Sequence, residues 1–156
     1  MPDVLAAIRP DEQSFALLLH LVGATIAFGG LLACATSLLL ARGETRLLRL
    51  GYFSLLLVTL PGWILMRLAG QWLFDQQTWS DLPSNLNDPA WLRIGFIVAD
   101  WGGVLFLISL AVGAIGLRRL QTGNGSVALL RSTMVISIIL AVAYAVAVWA
   151  MTGKPS

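Results

Sequence analysis

Charge, cysteine and histidine are all scarce in this chain, and each scarcity closes off a class of protein. Asp, Glu, Lys and Arg make up 12% of the 156 residues, about half the ~25% typical of soluble domains. With 58% hydrophobic residues and a mean hydropathy of +0.83, there is too little polar surface to clothe a water-soluble fold. Cys34 is the only cysteine, so no intrachain disulfide and no Cys-pair redox chemistry is available. Its plain role is that of a small apolar filler. His20 is the only histidine, which excludes a haem held by two histidines of one chain. The net charge of +2 is spread thinly, with neither a basic run nor an aromatic platform in a polar context, so nucleic acid is not expected as a partner. No phosphate loop, hydrolase triad or zinc-protease pattern occurs.

What the chain does have is long apolar runs. A helix needs ~20 mostly apolar residues to cross a bilayer, because lipid offers its backbone no hydrogen-bond partner. Four stretches qualify by this measure, at about 14–41, 47–72, 90–117 and 127–151. The expected fold class is therefore an all-α membrane protein, a four-helix up-down transmembrane bundle forming a single domain over residues 1–156. The last span alternates alanine and valine in AVAYAVAVWA, a strand-like period, but its length and apolar surroundings favour helix. The start, MPDVLAAIRPDEQ, lacks the basic and apolar regions of a cleavable signal, so the first span is expected to direct insertion. Val4, Leu5 and Ile8 suit a short interfacial helix, and Ser14 can cap the span that follows.

Orientation follows from the arginines. Arg42, Arg46 and Arg49 flank the first short turn, and Arg118, Arg119 and Arg131 flank the TGNGS turn at 122–126. The positive-inside rule places both turns in the cytoplasm and both termini outside. Asn124-Gly125-Ser126 reads as a turn rather than a glycosylation site on that topology. The outer connection, 73–89, carries Asp75, Asp81 and Asp88 and is flanked by Trp72 and Trp91 with Trp79 inside it. Interfacial tryptophans suit either a partial lid or a plain linker there.

Pro61-Gly62 falls inside the second span. A proline lacks the N–H and presses on the carbonyl four residues earlier, here that of Leu57, so a kink is expected.

Polar residues inside the spans are the places to look for function. At ~1.5 Å per residue His20 lies ~9 Å below the outer boundary, Arg67 ~8 Å, Tyr144 ~10 Å and Asp100 ~15 Å. One depth band suggests one polar pocket in the outer half, with His20, Arg67, Asp100 and Tyr144 as its ligand-binding residues. Side chains tilt toward a helix's amino terminus, so Asp100 leans outward and Arg67 inward. An Arg67–Asp100 ion pair is expected, with Arg93, two turns before Asp100, as a second partner for the carboxylate. His20 has three readings: a hydrogen bond to a neighbouring helix carbonyl, a ligand to haem or copper, or a proton relay. Met66 and Met151 are the available second axial ligands. Gly23, Ala24, Ala27 and Gly30, then Ala99 with Gly103, then Ser109 with Gly113, form small-residue faces for close helix packing.

The segments His20-Leu-Val-Gly23-Ala24, Phe28-Gly29-Gly30, Leu60-Pro61-Gly62-Trp63-Ile64-Leu65-Met66 and Asp88-Pro-Ala-Trp91-Leu92 together resemble a bacterial family of predicted four-helix integral membrane proteins of unknown function. That family is distantly similar to the copper-resistance D-type membrane domains, which share an early membrane histidine in a His-x-x-Gly context. The resemblance, from about Phe15 to Leu120, implies the architecture and the importance of His20, but no activity. This chain departs from the copper-handling relatives in lacking a second membrane histidine and a methionine-rich face. The leading expectation is thus a non-enzymatic membrane protein with a small-ligand pocket. The alternatives are an accessory or scaffold subunit of a larger membrane complex and a haem-dependent membrane oxidoreductase; a homodimer is the other assembly expected, and a bacterial inner (cytoplasmic) membrane is the expected location.

Overall fold

The computed structural model describes the backbone of residues 12–76, 90–123 and 127–153. Every regular element in them is helical: α1 (Glu12–Leu40), α2 (Thr45–Ser54), a π-helical turn (Leu55–Thr59), α3 (Leu60–Gln76), α4 (Ala90–Gln121) and α5 (Ala128–Gly153). With α2, the π turn and α3 taken as one rod, four helices are long and apolar enough to cross a membrane. Chain lengths beyond the expected limits are the main difference. The second rod runs to Gln76 and α4 to Gln121, since a helix already paying no backbone cost in lipid continues through the interface until its sequence stops it. Ser14 lies inside α1, which begins at Glu12, so it is not the cap. The interfacial segment 1–11, the lid or linker at 77–89 and the glycosylation-like triplet 124–126 lie outside the described residues.

The first turn is tight because two consecutive residues take positive φ, Arg42 at 39° and Gly43 at 94°. Glycine carries no penalty there. Glu44 then supplies the extended residue ahead of α2.

The expected kink at Pro61 takes a specific form. Just before the proline the helix widens by one turn, and the N–H of Leu60 reaches back to the Leu55 carbonyl, five residues away. A π turn places one more residue in the ring, which absorbs the local mismatch that a proline creates. Thr59 adds a side-chain hydrogen bond to the Ser54 carbonyl at 3.2 Å.

Packing follows the small residues. Helix α1 lies along α3 and also against α5; α4 lies along α5. The α1–α3 seam is a close backbone approach. A Cβ added to Gly23 would stand 2.5 Å from the Met66 nitrogen, and one added to Gly62 would stand 2.7 Å from the Ala27 nitrogen. Gly30 faces Thr59 just as closely, and the Ser54 hydroxyl crosses to the Gly30 carbonyl at 3.3 Å. The α4–α5 seam is packed by side chains on glycine instead, with Gly116 under Leu129 and Leu130 and Gly95 under Met151. In lipid, where apolar burial gains little, such contacts supply the association energy.

Leu31, Cys34, Leu55, Phe106, Leu130 and Leu140 fill the centre. A belt of small hydroxyls is buried with them, and Thr133 and Ser137 bond back to Leu129 and Thr133 carbonyls at 3.1 and 2.9 Å. Ser137 also approaches the Cys34 sulfur at 3.4 Å. Outside, the surface is apolar: only 28–33% of each span's most hydrophobic window is buried within the protein, and Leu57, Leu68, Trp101 and Val142 point outward. A surface of this kind is stable against acyl chains, not against water.

One seam is different. The second and third spans meet through α2 and α4 near the short-turn end, but beyond the π turn α3 and α4 barely approach. The bundle opens there, toward the end that carries the long connection.

Candidate functional site

The opening between α3 and α4 forms a groove of about 310 Å³, lined by Trp63 and Arg67 of α3 and by Ala99, Asp100, Gly103, Val104 and Leu107 of α4. Its residues follow from helix periodicity. Trp63 and Arg67 are four apart and share a face of α3; the α4 residues form a stripe of the same kind. The stripe from Ala99 to Leu107 extends ~12 Å along α4. It is polar at one end and apolar at the other.

At the polar end Arg67 Nη2 meets Asp100 Oδ1 at 2.8 Å, the ion pair expected from depth and side-chain tilt. Arg93 is exposed near the start of α4 and is not the carboxylate's partner in the structure. The pair remains open, its side chains 39% and 57% exposed. Asp100 lies ~10 Å along α4 from Arg93, where the third span begins. The span of 29 residues is ~43 Å long against a hydrocarbon core of ~30 Å, so a helix centred on that core would hold the pair ~4 Å inside the apolar region. Charges at that depth are paired or hydrated.

Trp63 forms the floor. Its ring rests on Gly103, where an added Cβ would fall 2.7 Å from Cζ2, and against Phe106 at a centroid distance of 5.8 Å. Further toward the long-connection end Phe74 and Phe96 close the gap edge to face, 5.3 Å apart. Behind Trp63 lies Tyr144 of α5, buried in the core. Trp63 Nε1 and Tyr144 Oη are both buried, and neither has a hydrogen-bond partner among the described residues. The hydroxyl of Ser109 is in the same position.

His20 is elsewhere. Its Nδ1 lies 2.9 Å from the Met66 carbonyl oxygen, and since that oxygen only accepts, Nδ1 carries the proton. The ring packs on Gly70, with Nδ1 2.9 Å from where a Cβ would stand. His20 thus ties α1 to α3, at the seam beside the groove and not in its wall. Nε2 is left as the atom through which a metal or haem would bind. Among the described residues no three His, Cys, Asp or Glu side chains converge on a metal-sized site, and Met151 packs on Gly95 at the α4–α5 seam.

Of the four residues singled out by depth, the structure joins Arg67 and Asp100 in one groove, sets Tyr144 beneath it and puts His20 on an adjoining seam. Sequence reasoning missed Trp63. Its signal was present: it precedes Arg67 by four residues, on the same face.

Fold and site together define a multi-pass helical membrane protein with a lateral groove that is charged at one end. No protein-family model, curated protein or solved structure matches the chain.

Proposed function

We propose that this protein is a non-enzymatic binding protein of a bacterial cytoplasmic membrane, and that its α3–α4 groove holds a small amphiphile. One observation carries the reading: an ion pair more than one-third exposed opens onto an apolar groove between two helical rods that are each long and apolar enough to cross a membrane. A charged pair so placed calls for a polar group beside it, and the apolar stripe beyond it calls for a hydrocarbon chain. The resemblance to the four-helix family of unknown function is compatible with this reading and names no reaction.

The orientation belongs to the proposal as well. Arg42, Arg46, Arg49, Arg118, Arg119 and Arg131 are exposed and gathered at the short-turn end, which the positive-inside rule assigns to the cytoplasm. The groove's charged end then lies in the outer half of the bilayer, with both termini outside.

The test is native mass spectrometry of the detergent-purified full chain. A co-purified or added amphiphile should bind with one-to-one stoichiometry, and Leu107→Trp, which fills the apolar end, should expel it. Binding that is unaffected by Leu107→Trp would refute the groove as the site.

A further inference from the structure

The geometry points to a single-chain carboxylic acid as the groove's occupant, its carboxylate on Arg67 in the position that Asp100 now holds and its chain laid along Gly103, Val104 and Leu107. This rests on the groove reading above and narrows it to one ligand class. Three features of the site select that class.

The first is a surplus of donors at the polar end. A guanidinium has five N–H groups arranged in a planar fork that fits a carboxylate, and Asp100, which meets it at Nη2–Oδ1, cannot occupy all five. The remaining N–H groups of Arg67 are thus able to give a proton to an acceptor, and the one charged acceptor lining the groove is a carboxylate of the protein itself.

The second is polarity along the groove. From Asp100 to Leu107 the wall passes from charged to wholly apolar, over ~10 Å toward the bilayer centre. An acid lying in its natural orientation in that leaflet, head near the interface and chain pointing inward, matches this gradient without turning over.

The third is width. The groove has one stripe of α4 on one side and Trp63 with Arg67 on the other, which makes room for one chain beside one head group. Asp100 then acts as a built-in competitor: it keeps Arg67 partnered when the groove is empty and, when a ligand carboxylate arrives, its exposed side chain leans outward to the water of the interface and yields Arg67.

The experiment uses the delipidated full-length protein in a neutral detergent, with palmitate, hexadecanol and phosphatidylglycerol as probes. Palmitate should bind at one per chain, and hexadecanol at least tenfold more weakly. Asp100→Asn, which removes the competitor and leaves Arg67 charged, should tighten palmitate binding at least tenfold; a gain of this kind cannot come from misfolding. Arg67→Gln should weaken it at least tenfold, with Arg67→Lys intermediate. Equal affinity for hexadecanol and palmitate, or no change in Asp100→Asn, would overturn the carboxylate assignment while leaving the groove reading intact. Displacement of palmitate by one equivalent of phosphatidylglycerol would replace the single-chain acid with a phospholipid. If Leu107→Trp left every probe bound as before, the groove reading itself would fall.

Discussion

Adding one methyl group at Gly62 tests what holds this bundle together. A Cβ there would stand 2.7 Å from the Ala27 nitrogen and 3.0 Å from the Gly23 carbonyl oxygen, whereas ordinary contact begins at 3.4 Å. Both neighbours are helix backbone and cannot swing aside, so α1 and α3 must separate by about 0.7 Å. A gap of ~0.5–1 Å forfeits a quarter to a half of the dispersion energy of each atom pair across a seam. For ~50 pairs at ~0.15 kcal/mol the loss is ~2–4 kcal/mol. Lipid supplies no compensating hydrophobic term between helices. The same separation lengthens the 2.9 Å bond from His20 to the Met66 carbonyl past useful range, adding ~0.6 kcal/mol. Gly29 is the internal control, because a Cβ there meets nothing within 4 Å. Unfolding in mixed micelles, followed by circular dichroism over a range of sodium dodecyl sulfate fractions, should show Gly62→Ala destabilised by ~2–4 kcal/mol and Gly29→Ala unchanged or slightly more stable. Equal stability of the two variants would refute close backbone approach as the source of cohesion.

Other expectations can be checked on the same preparation. His20→Ala should cost only ~0.6–1.7 kcal/mol, the range of interhelical hydrogen bonds in membranes, and a loss several times larger would mean that His20 does more than bridge α1 and α3. A double-mutant cycle on Arg67→Ala and Asp100→Ala should return a coupling of ~0.5–3 kcal/mol, with the double variant more stable than the sum of the singles predicts; zero coupling would show that the pair does not form in the micelle. Cys34 is fully buried, so a maleimide should label it only after unfolding, and rapid labelling of the native protein would contradict the packing of the core. Gly103→Leu should push Trp63 off its seat, since even a Cβ would lie 2.7 Å from Cζ2, and the shift should appear as a change in tryptophan emission without loss of helix content.

Much of the architecture was legible because lipid imposes so few solutions on a chain. Hydropathy and length located the four spans, and tilt with depth paired Arg67 with Asp100, which the structure holds at 2.8 Å. Helix ends were less legible: no strong cap or breaker stands at Trp72 or Leu117, and the helices run on. Proline reported that the second span is irregular, but not that the irregularity would be a widened turn upstream of it. Depth alone could not separate His20 from the groove, because depth fixes height on a helix and not which neighbour a face meets. That second coordinate depends on helix phase, and the phase of α3 is set by the π turn.

This last dependence has an evolutionary reading. In a uniform α-helix each residue advances by ~100° about the axis, so the extra residue in Leu55–Thr59 rotates everything after it by about that amount relative to α2. Removal of one residue from this turn would leave the apolar content of the span, its insertion and its length almost unchanged. It would nevertheless turn Gly62 and Met66 away from α1 and carry Trp63 and Arg67 away from the α4 side. The same rod can thus be re-aimed by a change in count rather than in composition, and a lineage could acquire the groove through a single codon insertion, or abandon it through a single codon deletion, without altering one residue that lines it.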